Sequence, residues 1–198
     1  MEFSYFTIEK PVEPLILKEK GSKFIPFAFP VNSEQDIQER LNEVRQLHPK
    51  ATHHCYAFRL GISGENYRAN DDGEPSGSAG LPIYNQILGQ NLTQILVVVV
   101  RYYGGTKLGV GGLTKIYKES AKAILESAKI VKKELHQSIE LSFDYSYQSQ
   151  VYQVIHKFDL KINNLNQQLK IALNLDVPAR QYDEILLLFK EMKGVEIL

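Results

Sequence analysis

ILVVVVRYYGGTKLGVGGLTKIYKESAKAIL, Ile95 to Leu125, runs through three textures in succession. An apolar, β-branched run ends at Arg101, a glycine-rich stretch carrying Lys107 follows, and a helical repeat takes over from about Leu113. A continuous β-branched run bounded by turn residues suits a strand buried on both faces. Glycine reaches positive φ and lets the main chain come close to a neighbour. Ahead of a helix whose first N–H groups lack internal partners, that freedom favours contact with an anion. Two readings stay open for Gly104, Gly105, Gly109, Gly111 and Gly112: a cradle for negatively charged oxygens, or a tight loop in which sterics alone demand glycine. The spacing is not that of a Walker loop, because Val110 follows Gly109 where lysine is needed, nor that of a dinucleotide fingerprint, because Thr114 stands at the third glycine. Beyond it, Ile116, Ser120, Ile124, Ser127 and Val131 mark the inner face of a long helix.

Upstream, EPLILKEKGSKFIPFAFPV predicts two strands around a turn at Gly21–Ser22, with Pro26 and Pro30 suggesting an edge position. Ser33 with Asp36 three residues on predicts a helix start; Ile37, Leu41 and Val44 form its stripe, and Pro49 ends it. HHCYAFRL, His53 to Leu60, alternates as a strand does, and GISGENYRANDDGEPSGSAG reads as loop. Pro82 fits a first helical position and Gly89 the stop after it. Downstream of Glu134 the texture changes. SIELSFDY, SQVYQVIHKF, LKINNL, QLKIALNLDV, ARQYDEILLLFKEM and VEIL read as strand, helix, strand, strand, helix, strand, with Ile185, Leu188, Phe189 and Met192 turned inward. This is the β-α-β-β-α-β order of a ferredoxin-like unit. The expected division is therefore 1–133 and 137–198.

Composition narrows the classes of partner. The 198 residues carry 23 Lys and Arg against 23 Asp and Glu, so any polyanion must be met by a local patch rather than by a global field. The single cysteine, Cys55, excludes an internal disulfide and a cysteine cluster. MEFSYFTIEKPVEP lacks the basic and apolar regions of a signal peptide, and no apolar run reaches the ~18 residues that span a membrane. A cytoplasmic, membrane-free protein is expected, with its oligomeric state left open.

Three constellations carry chemistry. The basic one is Arg101, Lys107, Lys115 and Lys118, with Tyr103 available to stack beside them and Lys18, Lys20 and Lys23 adding charge if the first turn lies near. The acidic one is Asp71, Asp72, Glu74 and Ser78 in DDGEPSGSAG, with no lysine or arginine between Asp71 and Gln90. Carboxylates so placed serve acid–base work or Mg²⁺; the preferred reading is a turn that pairs with the basic loop, with Ser78 helping to cap the following helix. The third is His53 and His54, which fall on opposite faces of a strand. No complete metal set and no cofactor site can be assembled from these residues.

KGSKFI, KATHHCYAFRLG and RANDDGEPSGSAGLPIYNQILGQNLTQILVVVVRYYGGTKLGVGGLTKIY together resemble the signature segments of the IMPACT family, in its bacterial branch, in order from Lys20 to about Ala128. The resemblance places the acidic motif on Asp71, Asp72, Gly73, Glu74, Pro75, Ser78 and Gly80. It places the basic motif on Arg101, Tyr103, Gly104, Gly105, Lys107, Leu108, Gly109 and Gly112, and the histidine motif on His53 and His54. Leu81 stands where lysine is common. The resemblance implies an α+β chain: a ribosomal protein S5 domain 2-like α/β domain, as in domain IV of the ribosomal translocation factor, followed by a ferredoxin-like domain. It implies, through fold kinship and a surface groove, a non-catalytic, translation-linked role at RNA or the ribosome; eukaryotic members regulate translation by binding an activator of a stress kinase, a role that is not carried over to the bacterial branch. Two other classes stay open: a phosphate-handling or hydrolytic enzyme using His53 or His54, Asp71, Asp72, Glu74 and Lys107, and a protein-interaction adaptor.

Overall fold

The computed structural model describes residues 3–198; Met1 and Glu2, part of the N-terminal stretch read above, lie outside them. The chain divides into two compact units, with the break between Lys133 and Glu134.

The first unit is built on five antiparallel strands in the order β2-β3-β6-β4-β5: β2 (Leu17–Glu19), β3 (Ser22–Pro30), β4 (His53–Leu60), β5 (Asn66–Asn70) and β6 (Ile95–Tyr102). A separate pair joins β1 (Ser4–Ile8) to β7 (Ile130–Glu134). Helix α1 (Glu34–Leu47) covers one sheet face, closing Ile37, Leu41 and Val44 over Phe27, Phe29, Tyr56, Phe58 and Val98. Helices α2 (Gly80–Gly89) and α3 (Gly109–Glu126) cover the other, where Ile83, Ile87, Ile116, Tyr117 and Ile124 meet Phe24, Cys55, Val97 and Val99. From Ile95 to Val100 every side chain of β6 is fully buried, as its β-branched run requires. Each such side chain is worth about 1.5–3 kcal/mol of transfer free energy, so β6 anchors both layers.

Ser33 accepts a hydrogen bond from the Asp36 amide, and the Asp36 carboxylate accepts one from the Asn32 amide, so α1 begins where the capping pair predicted. The prolines of β3 follow from the ladder's parity. Ala28 turns its carbonyl outward to the Val12 amide at 3.1 Å. Pro26 and Pro30 share that parity, so their missing N–H groups fall on the outer side, away from the ladder with β6.

Four expectations are corrected. Helix α3 starts at Gly109 rather than near Leu113, so Gly109, Gly111 and Gly112 form its first turn: burial of Leu113, Ile116 and Tyr117 outweighs the poor helix propensity of glycine. It ends at Glu126, so Ser127 is a cap and Val131 belongs to β7. Helix α2 starts at Gly80, two residues before Pro82. Residues 66–70, read as loop, form edge strand β5, whose exposed side chains give no alternation because its stability comes from the ladder with β4.

In the second unit the order is β8 (His136–Phe143), α4 (Gln148–Lys157), β9 (Lys161–Gln167), β10 (Ile171–Pro178), α5 (Tyr182–Glu191) and β11 (Val195–Ile197). The sheet order is β11-β8-β10-β9, antiparallel throughout. Both helices lie on one face: Ile139, Leu141, Phe143, Ile171, Leu173, Leu175 and Val177 pack against Val151, Ile155, Ile185 and Phe189. Strict period-two burial along β10 is the local cause, since alternate side chains reach the helices.

Candidate functional site

The acidic and basic motifs meet. The side chain of Glu74, carried on the loop after β5, accepts a hydrogen bond from Arg101 Nη1 at 2.6 Å and another from the Tyr117 hydroxyl at 2.8 Å. Arg101 leaves the end of β6, Tyr117 faces inward from α3, and all three are buried. The Arg101 guanidinium lies 5.5 Å from the Phe24 ring centre and 5.4 Å from that of Tyr103. Its Nη2 reaches Ser22 Oγ at 3.5 Å. Cys55 Sγ lies 3.3 Å from the Tyr117 hydroxyl and 3.0 Å from the Asp71 carbonyl oxygen. Burial, reinforced by the carboxylates around it, pushes the Cys55 thiol far up, and burial likewise raises Tyr117. Fully buried and held by these two contacts, Cys55 sits as a structural side chain.

Arg101 is thus removed from the anion-binding surface expected of it, because a buried carboxylate neutralises it and little of it reaches solvent. Glu74 is removed from the open acidic cluster for the same reason. The preferred reading of the acidic loop, a turn paired with the basic segment, matches this arrangement.

The other acidic residues hold main chain. Asp71 accepts from the amides of Gly77, Ala79 and Gly80 at 2.8, 3.0 and 2.8 Å, and so caps α2. Burial would raise its carboxyl, but these three donors outweigh that and hold it below the usual aspartate value. The capping role expected of Ser78 therefore belongs to Asp71; Ser78 donates instead to the Pro75 carbonyl at 2.6 Å. Asp72 accepts from the His54 amide at 2.6 Å, continuing the β4–β5 ladder with a side chain.

His53 Nδ1 lies 2.8 Å from the Asp72 carbonyl, which fixes a proton on Nδ1, and its Nε2 is 3.9 Å from Glu74 Oε2. His54 turns to the α1 face, where burial lowers its pKa against the opposing pull of Asp72. The two rings serve different layers, as strand parity predicted. Among the described residues no group of three His, Cys, Asp or Glu side chains converges on a metal-sized site.

What remains at the surface is the glycine corner. A side chain on Gly104 would collide with Gly21 main chain at 2.0 Å, so these two glycines let the β2–β3 turn and the loop after β6 touch backbone to backbone. Ser22 Oγ accepts from the Gly104 amide at 3.1 Å and locks the contact. The steric reading thus holds at Gly104, and the same contact brings the turn that carries Lys20, with Lys23 at the start of β3, against the loop that carries Lys107. Gly105 at φ +89° and Gly109 at φ +71° turn the chain into α3, whose start carries no side-chain cap. Gly111 has no heavy atom within 4 Å of a would-be side chain, so neither sterics nor conformation explains it. Lys107, Lys115 and Lys118 are exposed, and Tyr103 keeps 46% of its surface. Lys115 lies 3.9 Å from Glu119, a contact between exposed groups worth little.

Sequence reading missed Tyr117 and Ser22, which complete the seat of Arg101; neither lies near it in sequence. The capping role of Asp71 left no local signal, because the loop must fold back to bring it to Gly80, nine positions on.

The motifs that meet here are recognised as a unit: a family model for the Impact N-terminal domain matches residues 20–125, more than half of the chain. The chain belongs to the IMPACT family. IMPACT family member YvyE of Bacillus subtilis (strain 168) is 39% identical over 147 residues, covering 74% of this chain and 67% of that protein. IMPACT family member YigZ of Escherichia coli (strain K12) is 32% identical over 178 residues, covering 88% and 87%. A crystal structure of a hypothetical protein superposes with a TM-score of 0.73 at 29% identity, covering 100% of this chain and 98% of that one. Among the described residues no helix of this IMPACT family chain is long and apolar enough to cross a membrane.

Proposed function

We propose that this IMPACT family chain is a non-catalytic, translation-linked regulator that engages RNA or the ribosome through the lysines of the glycine corner. The first unit is read as ribosomal protein S5 domain 2-like. The second is read as ferredoxin-like on its element order and its β11-β8-β10-β9 sheet. The function is carried by one observation, the Gly21–Gly104 contact, which joins two lysine-bearing turns beside the uncapped start of α3. Lys20, Lys23 and Lys107, followed along α3 by Lys115 and Lys118, suit phosphate oxygens, and Tyr103 offers a ring at their border. A non-catalytic role is supported by the acid–base candidates themselves. Glu74, Asp71 and Asp72 are each engaged in hydrogen bonds that hold the fold. A cytoplasmic location belongs to this reading.

The test is a gel-shift titration of the full chain with ribosomal RNA across salt, with sedimentation of ribosomal particles before and after RNase. Binding should weaken steeply with salt, and Lys20→Ala with Lys107→Ala should lower the slope by roughly two, about one for each phosphate left without its lysine. Affinity that stays flat with salt, or is untouched by the double substitution, would remove this reading.

A further inference from the structure

The sheet of the first unit ends at β5, and its outer edge has a defined chemistry. His54 gives its N–H to Asp72 on the β5 side, so the even residues of β4 bond toward β5. The register Tyr56↔Asn70, Phe58↔Arg68, Leu60↔Asn66 then turns the main-chain groups of Asn66, Arg68 and Asn70 inward. Tyr67 and Ala69 must turn theirs outward, and no chain partner meets them among the described residues.

Side chains flank this edge on both faces. On the α2 face the exposed Tyr67 ring stacks on Tyr84 at 4.8 Å and 25°. On the α1 face Arg68 borders a notch of about 190 Å³ lined also by Glu34, Gln38 and Phe58. Arg68 is exposed and forms no ion pair among the described residues.

We propose that β5 is a docking edge for an extended segment of a partner protein that carries a carboxylate opposite Arg68. Main-chain groups of Tyr67 and Ala69 bond the incoming strand, as in strand addition to a sheet edge. Arg68 lies between those two bonding positions, where facing side chains come closest. A second copy of this chain is the wrong occupant. Antiparallel self-pairing that bonds Tyr67 to Ala69 of the copy centres on Arg68 and sets two like charges face to face. An acidic residue there is attracted, while its neighbours in the incoming strand lie over the Tyr67–Tyr84 stack.

The experiment uses the full ¹⁵N-labelled chain and two capped hexapeptides of alternating valine and threonine, one with a central glutamate and one with a central lysine. Amide shifts and hydrogen exchange are followed on titration. The glutamate peptide should slow exchange at Tyr67 and Ala69 selectively and bind roughly fivefold tighter than the lysine peptide. Arg68→Glu should reverse that order. Ala69→Pro removes an outward N–H while sparing the ladder with β4, and should abolish the protection without unfolding the chain. The proposal is overturned by equal binding of both peptides, by protection that survives Ala69→Pro, or by concentration-dependent protection of Tyr67 and Ala69 with no peptide present, which is self-pairing.

Discussion

The two units of this IMPACT family protein bury different kinds of interior. Among the described residues every buried polar or charged side chain (Thr7, Ser22, Arg59, Glu74, Ser78, Thr93, Arg101 and Ser120) belongs to the first unit. The core of the second is apolar throughout. Even the two buried arginines of the first unit differ. Arg101 faces a carboxylate, whereas Arg59 donates to the carbonyls of Leu92 and Ser63, both at 2.8 Å. An apolar core tolerates exchange of one hydrophobic side chain for another of similar volume. An interior ion pair does not, because each partner is costly to bury alone. The first unit thereby ties the acidic loop to the end of β6 and to α3, which fixes the corner where Gly104 meets Gly21. The interior of the second holds apolar side chains only, and its ion pairs, such as His136 with Asp176 at 3.1 Å, lie toward the surface.

The contrast is broken most forcefully at the pair itself. Glu74→Ala leaves the Arg101 charge buried without its carboxylate and should cost about 3–5 kcal/mol, confined to the first unit. Amide exchange resolved by unit under rising urea would measure it, and a loss shared equally by both units would erase the distinction. Replacing both Glu74 and Arg101 by methionine should restore most of the loss, since no unpaired charge then remains. In the second unit the counterpart is Ile185→Ala, a cavity in an apolar core costing about 2–5 kcal/mol. The same exchange experiment should find the first unit unmoved.

A smaller effect is expected at Asp71. Asp71→Ala should cost about 1–2 kcal/mol, visible as fraying of α2 amides from Gly80 onward. The sign of its pH dependence follows from its lowered pKa. The contribution is complete above the ordinary aspartate value of 3.8 and is lost as pH falls from there through the folded value. Asp71→Asn should flatten that part of the curve. Smallest is the contribution from His54, whose pKa burial holds below the usual 6.5. The unfolded chain takes up that proton first, so the first unit loses stability as pH falls below 6.5, and His54→Gln should diminish the slope. Denaturation midpoints at a series of pH values would read both.

Legibility in the sequence follows the same contrast. The second unit could be read element by element because alternation along β10 and the helical stripe through Ile185 and Phe189 are local patterns, and local patterns are what a core of pure area imprints. In the first unit, α1 and β6 were legible for that reason. Strand β5 was not, because its partner β4 supplies hydrogen bonds that leave no trace in side-chain order. The start of α3 was hidden by its glycines. At the candidate site the residue types were legible and their duties were not. Arg101 looked like a free cation until Glu74, 27 positions away, proved to sit against it.

Taken alone, the order of residues settled which segments bury apolar surface, where α1 is capped, and that acidic and basic motifs of one family lie within a short span. Which charges would face solvent was decided only when β4, β6 and α3 came together. Ion pairing and main-chain contact depend on distance in space, and residues such as Gly21 and Gly104 are far apart along the chain yet touch in the fold.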